Sequence, residues 1–128
     1  MDERDPGTFV VIDWGFGTLL PVGFDLGQLV IGPMHAGLVD ADQLDRLAQL
    51  VVSAYLDGSR GEGFDVTADE VWAGFFGGLA CRSALLSLPF ERLGEPPTAE
   101  LVDHLAERVR LTARLLDLID RRLPVPAG

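Results

Sequence analysis

The chain has 128 residues and a mass of 13.8 kDa, and 48% of its residues are hydrophobic, which is enough for one domain with a real core. Its formal net charge is −10, with 20 acidic residues against 10 basic ones, which argues against nucleic acid as the main partner because phosphate neutralisation needs a basic surface. The sequence contains neither lysine nor asparagine, so a P-loop is excluded, although a skewed genomic composition could produce both absences without functional meaning.

A strand is predicted near the start of the chain. Asp5-Pro6-Gly7-Thr8 is a strong turn signal, and the β-branched and aromatic run 8–14 that follows it favours a strand. A turn directly before a strand indicates a hairpin, whose other strand would have to lie in the four polar residues 1–4. We therefore expect the chain to begin in the middle of a structure.

A glycine-rich loop over 15–23 comes next, and a short buried helix follows it. The apolar segment 26–31 predicts that helix, with Asp25 as its cap and Gln28 as the reciprocal partner. Gly32-Pro33 is expected to stop it.

A second helix is predicted to begin after Asp40, with Gln43 at its third position. Its apolar face follows helical periodicity. That face consists of Leu44, Leu47, Val51 and Tyr55. The segment 57–63, which contains three glycines, is expected to be a flexible loop.

The clearest helix start in the chain is Thr67 with Glu70, which form a capping box, while Val66 and Val71 stand where a hydrophobic staple would. The body of this helix is apolar nearly all round, so it should be central and buried. It includes Trp72, Phe75, Phe76, Leu79, Leu85 and Leu86, and its three glycines, Gly74, Gly77 and Gly78, suggest close packing against a neighbour.

A final helix of about seven turns is predicted after Pro96-Pro97-Thr98. An apolar stripe with three-four spacing runs along it, and Asp117 can pair with Arg121. The stripe comprises Leu101, Leu105, Val109, Thr112, Leu116, Ile119 and Leu123. Such a stripe usually packs on its own molecule, but it could also be a partner-binding face. Residues 124–128 are expected to be a disordered tail.

Targeting signals and cysteine chemistry are not indicated. The acidic N-terminus is unlike a signal peptide, and the most apolar stretch, 71–88, holds Arg82 and three glycines, which favours a buried helix over a membrane span. Cys81 is the only cysteine and is interpreted as a small buried hydrophobe, so no internal disulfide or Cys-rich zinc site exists. We expect a cytoplasmic protein with no membrane partner.

Asp13 is the candidate metal ligand. It ends a hydrophobic strand and precedes a glycine-rich loop, an arrangement that fixes a carboxylate and leaves room for water and phosphate oxygens around Mg²⁺. Taken alone, such an aspartate is more often a turn or capping residue.

The wider pattern around Asp13 carries a family resemblance. The segments Val10-Val11-Ile12-Asp13-Trp14-Gly15 and Gly23-Phe24-Asp25-Leu26-Gly27 resemble the aminoglycoside phosphotransferase and choline kinase-like family, with the two aspartates twelve residues apart as in that family. The resemblance implies that Asp13 is the Mg²⁺ ligand bridging the ATP phosphates and that Asp25 is a structural support of the catalytic loop. Gly27 replaces the usual alanine, and the loop 16–22 lacks the acidic residues often found there.

The fold implied by this resemblance is mainly α: the helical C-terminal lobe of a kinase-like fold, with a short N-terminal β-strand or hairpin remnant. Residues 1–123 would form a partial phosphotransferase lobe, with strand and metal loop at 8–24 and a helical bundle at 25–123, before the tail 124–128. The match covers roughly 9–88, and only 10–29 is specific.

The catalytic machinery of the family is missing from this sequence. No His-Gly-Asp motif, no metal-binding Asn and no phosphate-pairing Lys is present, so no residue here is assigned a catalytic role. We therefore predict a C-terminal fragment, from a truncated or split gene, of an ATP-dependent small-molecule phosphotransferase. It would be catalytically incompetent alone. Mg²⁺, ATP and an alcohol or amine substrate would belong to the intact protein, with the missing N-terminal part as a possible partner.

Two alternatives stay open: a non-catalytic helical interaction module that uses the last helix, and an acidic ligand-binding domain of a regulator, although no helix-turn-helix supports the latter. Substrate contact is conceivable for His35, in a predicted loop, but a surface or capping role is the commoner one for it and for His104, which could pair with Glu100. The acidic residues at 65–70 are interpreted as helix N-terminal charge rather than an aminoglycoside-binding cluster.

Overall fold

The structure, a computed structural model, describes residues 19–81, 90–92 and 94–123. Four α-helices span these residues: α1 (Phe24–His35), α2 (Leu44–Gly61), α3 (Ala68–Leu79) and α4 (Ala99–Arg122), with short 3-10 helices at Ala41–Gln43 and Phe90–Arg92. No β-strand occurs among the described residues, so the prediction of a mainly α fold is confirmed for them. The predicted strand 8–14, its hairpin and the tail 124–128 lie outside the described residues.

The core is built on the pairing of α1 with α3, the most extensive helix contact in the described part of the chain. Their backbones come so close that a Cβ at Gly74 would overlap the carbonyl oxygen of Val22, and a Cβ at Gly78 would overlap that of Phe24. Close packing at these two glycines is confirmed. At Gly77 an added Cβ would only reach the Phe24 ring at 3.7 Å, an ordinary contact, so that glycine is not required by packing.

The start of α3 follows the predicted capping box. The Thr67 amide donates to Glu70 Oε2 at 2.9 Å, and the Glu70 amide donates to Thr67 Oγ1 at 3.3 Å. The hydrogen bonds from the backbone and then from the hydroxyl of Thr67 hold the pKa of Glu70 below its ordinary value. Val71 is fully buried and Val66 packs against the same core cluster, as the staple pattern indicates.

Aromatic side chains fill the centre of α3. Phe75 is fully buried, and the Trp72 and Phe76 rings stack with centroids 5.4 Å apart. The guanidinium of Arg122, at the end of α4, lies 4.9 Å from the centre of the Trp72 ring, which links the last helix to this cluster. The prediction of a buried, central helix is therefore confirmed as far as Leu79, whereas its proposed continuation to Leu85 and Leu86 falls on residues outside the description.

The predicted end of α1 at Gly32-Pro33 is wrong, because the helix continues to His35 with Pro33 inside it. A proline ring normally clashes with the Cβ of the residue before it, but that residue is Gly32, which has none. Burial of Ile31 and Met34 favours continuation of the helix. The actual end is a Schellman motif, in which Gly37 has φ 70° and Leu38 N donates to Pro33 O at 2.9 Å.

The flexible loop predicted over 57–63 is also wrong, because α2 runs through Gly61. Gly58 and Gly61 lower helix propensity, but the buried Leu56 anchors this end to the core. The helix ends where Gly63 takes φ 81° and Phe64 N donates to Ser59 O at 2.9 Å. The left-handed φ favours glycine, so Gly63 is the true stop signal of the three glycines in the segment.

The start of α2 agrees with the prediction more closely than its buried face does. Asp40 accepts from the Asp42 amide at 2.9 Å and caps the 3-10 turn that leads into the helix. The buried face is rotated by one residue from the predicted one. It consists of Leu44, Ala48, Val52 and Leu56, while Leu47, Val51 and Tyr55 are half-buried beside it.

The final helix begins as predicted, with Thr98 Oγ1 accepting from the Leu101 amide at 3.2 Å. Its packing differs from the prediction. Leu111, Leu115 and Leu118 are its residues in the core cluster. Of the predicted stripe, Leu101 is buried and Ile119 packs beside the cluster, whereas Val109, Leu116 and Leu123 are exposed. The predicted pairing of Asp117 with Arg121 is present only in part: Arg121 Nε donates to the Asp117 carbonyl oxygen at 3.1 Å, whereas its ion pair is with Asp45 on α2, where Nη2 lies 2.7 Å from Oδ2.

Burial and helix length bear on two further expectations, and residues 82–88 of the most apolar stretch lie outside the described residues. Cys81 is exposed rather than buried. It lies two residues beyond Leu79, the last buried residue of α3. Within 19–81, 90–92 and 94–123, none of the helices combines the length and apolar character that a bilayer crossing requires.

Candidate functional site

Of the two aspartates in the motif, the structure describes Asp25 but not Asp13. Asp13 lies outside the described residues, so the predicted metal ligand stays a prediction. Asp25 lies in the first turn of α1, one residue after the helix begins at Phe24. The predicted proximity of Asp25 to a helix start is confirmed, but its predicted capping role is wrong. The N-cap is Gly23, with φ 85° and no side-chain cap hydrogen bond.

The position of Asp25 is electrostatically favourable for a carboxylate. The first turn of a helix carries exposed backbone N–H groups and the positive end of the helix dipole, which together stabilise a nearby negative charge by about 0.3–1 kcal/mol. Asp25 is the acidic residue in the first turn of α1. The carboxylate therefore contributes to the start of the helix through its charge rather than as its cap.

The N-terminal turn of α1 is held tightly on α3. Besides the contacts at Gly74 and Gly78, a Cβ on Gly27 would lie 2.7 Å from the backbone nitrogen of Leu79, a distance real Cβ atoms essentially never show. Glycine at position 27 therefore has a local cause. The backbone of α3 comes too close there for a methyl group.

A cleft opens beside the start of α1. It has a volume of about 270 Å³, and Tyr55 of α2 contributes to its lining. Its lining residues are Leu20, Pro21, Val22, Gly23, Phe24, Asp25, Leu26 and Tyr55. A second, wider groove of about 420 Å³ shares Tyr55 and is lined also by Gly58, Ser59, Glu62 and Phe64. Ligand sites usually enclose about 300–1,000 Å³, so the cleft alone is below that range.

The described residues do not by themselves fit a magnesium site. Among the described residues, Asp25 is the only carboxylate that lines the cleft at α1, and no group of three or more of their His, Cys, Asp or Glu side chains could hold a metal ion. Mg²⁺ in phosphotransfer sites is held near-octahedrally by one or two carboxylates, substrate phosphates and water. We therefore derive no chemical step through a metal from these residues.

His35 belongs to a polar junction between α1 and α4. Its carbonyl oxygen accepts a hydrogen bond from Arg108 Nη2 at 2.9 Å, and Arg108 Nε lies 3.5 Å from His104 Nε2. Burial, followed by the nearby charges of Arg108 and His104, lowers the pKa of His35 from its ordinary 6.5. The residue is the last of α1 rather than part of a loop, and its carbonyl is engaged in holding α4.

The structure brings together several residues that sequence reasoning missed. Tyr55 was assigned only to an apolar face, yet it lines both the cleft and the groove. Glu62 and Phe64 were interpreted as loop residues or left without a role. Their place beside Tyr55 depends on the length of α2, which the three glycines in 57–63 concealed. Arg108 and His35 are 73 residues apart, so no local pattern could have joined them.

Comparison with known proteins gives no assignment. No protein-family model matches the sequence, and neither the curated proteins nor the solved structures contain a significant match.

Proposed function

We propose that this chain is the C-terminal part of an ATP-dependent small-molecule phosphotransferase of the aminoglycoside phosphotransferase type. The observation that carries the proposal is the pattern Ile12-Asp13-Trp14 followed by Phe24-Asp25-Leu26, with its twelve-residue spacing between aspartates. In this proposal Asp13 is a ligand of Mg²⁺ in the intact protein and Asp25 supports the catalytic loop.

The described geometry supports the part of this proposal that concerns Asp25. The residue opens a helix whose first turn packs backbone to backbone on the buried helix α3. A carboxylate on a tightly packed helix suits structural support of the catalytic loop, because its position does not depend on a mobile loop. The mainly helical body that follows is also what the C-terminal lobe of a kinase-like fold would require.

The same proposal holds that the chain does not catalyse phosphoryl transfer alone. That reaction depends on a base, on metal ligands and on a cation that pairs the phosphates, all held in register. The sequence has no lysine and no asparagine, and its two histidines, His35 and His104, are not followed by Gly-Asp. The parts that would complete the site are assigned to polypeptide outside the printed sequence.

Metal binding by Asp13 gives a test that does not need turnover. Mn²⁺, a paramagnetic stand-in for Mg²⁺, should broaden amide NMR signals around residue 13, and ATP should strengthen the effect because its phosphates add ligands. Asp13→Asn should abolish the localised broadening, whereas Asp5→Asn, a matched change in the same acidic segment, should retain it. Broadening spread over the acidic surface and unchanged in Asp13→Asn would contradict the metal-ligand role.

Activity and gene context test the remainder. The purified chain with MgATP should release no ADP in the presence of aminoglycosides or choline, and clear turnover by contaminant-free protein would contradict its incompetence alone. The DNA next to the coding region should contain a frame encoding a His-Gly-Asp motif followed by an asparagine. Unrelated sequence there would favour the alternative function.

That alternative is a non-catalytic helical interaction module. One observation favours it: α4 turns an unburied apolar face away from its own core, with Val109 and Leu116 more than half exposed. Metal binding at Asp13 separates the two functions, because an interaction module has no need of it.

A further inference from the structure

The final helix has apolar residues on two sides. One side packs on the rest of the chain through Leu111, Leu115 and Leu118. On the other side four residues recur every seven positions and are exposed: Val102 (52%), Val109 (60%), Leu116 (56%) and Leu123 (40%). We call these four, with the interleaved and half-buried Leu105, Thr112 and Ile119, the heptad stripe; Ile119 also packs against the core cluster.

The heptad stripe has the spacing of a coiled-coil seam. Positions 102, 109, 116 and 123 correspond to a, and 105, 112 and 119 correspond to d. The helix is 24 residues long, or about 36 Å at 1.5 Å per residue, so the seam runs its whole length. A surface groove of about 220 Å³, lined by Val109, Thr112, Ala113 and Leu116, lies at its centre. A second α-helix is the shape that such a seam accepts.

The one polar residue in the stripe does not oppose burial. Thr112 Oγ1 donates to the Arg108 carbonyl oxygen at 2.9 Å, so its hydroxyl proton already has an acceptor within the helix. Burying this hydroxyl would therefore leave no donor unsatisfied. The e positions beside the stripe are Ala106, Ala113 and Asp120, and the two alanines are small enough to let another helix approach closely.

The distribution of charge along α4 favours a second copy of the chain as the partner. The whole chain has a net charge of −10, yet α4 is balanced, with five arginines against five acidic residues. The segment 99–107 holds only acidic charge, from Glu100, Asp103 and Glu107, whereas 108–122 has all five arginines and two aspartates. Three of these arginines also pair with Asp40, Asp42 and Asp45 of their own chain. The acidic end of one α4 therefore meets less repulsion against the arginine-rich end of another α4 than against a second acidic end.

We propose that the heptad stripe is a homodimer interface in which two copies of α4 pair in antiparallel orientation. The pairing sets Val102 against Ile119, Leu105 against Leu116 and Val109 against Thr112 of the second copy. It also places Asp120 near the N-terminus of the other α4, where a negative charge is favoured by the helix dipole. A parallel pair would instead bring the two acidic ends together.

The size of the stripe indicates a reversible dimer. A standard interface uses about 20–30 residues on each side, and the stripe with its flanking alanines offers fewer than that. Sedimentation equilibrium of the chain at 100 µM should give a mass close to twice the 13.8 kDa monomer, with dissociation on dilution. A chain that stays monomeric at 100 µM overturns the proposal and leaves the stripe to a different protein.

Substitutions on the stripe test its location. Leu116→Asp, and independently Val109→Asp, should return the chain to the monomer at 100 µM with unchanged circular dichroism. Leu50→Asp is the matched control: Leu50 is 61% exposed on α2, and its substitution should leave the dimer intact. A dimer that survives both stripe variants overturns the assignment of the interface.

Cysteine pairs test the orientation. In a Cys81→Ser background, an equimolar mixture of Leu105→Cys and Leu116→Cys chains should form a disulfide heterodimer, because the two positions face each other. Leu105→Cys alone should not cross-link, since its copies would be about 16 Å apart along the pair and a disulfide needs Cα atoms within about 7 Å. Cross-linking of Leu105→Cys with itself but not with Leu116→Cys overturns the antiparallel arrangement.

Discussion

At the scale of single residues, Gly78 illustrates how the start of α1 is positioned. A Cβ added there would overlap the carbonyl oxygen of Phe24, which is backbone and cannot rotate away. Its neighbour Gly77 faces only the edge of the Phe24 ring, at 3.7 Å. Packing therefore requires glycine at position 78 but not at position 77, and the effect of each substitution on stability can be measured.

We expect Gly78→Ala to destabilise the protein by about 1–3 kcal/mol, because α1 must move away from α3 to make room. Gly77→Ala should instead be neutral or stabilising by up to about 1 kcal/mol, because alanine favours the helix. Urea unfolding of both variants measures the free energies. Equal effects at the two positions would contradict the close approach.

His35 is the residue whose titration should affect stability. Its pKa is lowered in the folded state by burial, and by the charges of Arg108 and His104. Protonation therefore costs more in the folded chain than in the unfolded one, where the pKa is near 6.5. The stability that depends on neutral His35 is present above that value and is lost as the pH falls below it.

The measurable consequence is a pH-dependent melting temperature. Between pH 7.5 and 5.5 the Tm of the wild-type chain should fall more than that of His35→Gln, which has no titrating group at this position. Parallel Tm profiles for the two proteins would show that His35 does not couple protonation to folding.

At the scale of helices, the glycines of α2 separate a helical from a loop interpretation of the segment 57–63. Gly58 lies inside the helix, with no atom within 4 Å of an added Cβ, whereas Gly63 has φ 81°. Alanine suits the first site and is strained at the second.

We expect Gly58→Ala to stabilise the chain by up to about 1 kcal/mol and Gly63→Ala to destabilise it by about 1 kcal/mol. Thermal and urea unfolding of the two variants, with Gly61→Ala as a third, would measure this. Two neutral substitutions would be the result expected of a flexible loop.

Helix beginnings were predicted better than helix ends. Thr67 with Glu70 is a capping signal of four residues whose hydrogen bonds are present, and α4 begins after Pro96-Pro97-Thr98 as predicted. Both helix ends that were predicted wrongly involve glycine or proline inside a helix. Pro33 and Gly58 oppose helix locally, but burial of Met34 and Leu56 outweighs that preference, and burial cannot be read from a local pattern.

At the scale of the whole molecule, contacts of different kinds attach α4 to the other described helices. Arg114 and Arg121 each lie 2.7 Å from an aspartate near the start of α2, and Arg108 binds the end of α1. The ion pairs are exposed, so each contributes little to stability, and less at high salt. The buried leucines of α4 therefore carry most of its attachment.

Sequence alone determined the helical class of the described residues, the starts of α3 and α4, and a motif that assigns Asp13 and Asp25 their proposed roles. These depend on hydrogen bonds and spacings within a few residues. Tertiary structure decided which side of α4 is buried. Its heptad stripe and its Leu111 face are both apolar at helical spacing, so periodicity could not separate them. Only the packing of Leu111, Leu115 and Leu118 into the core left Val109 and Leu116 in solvent.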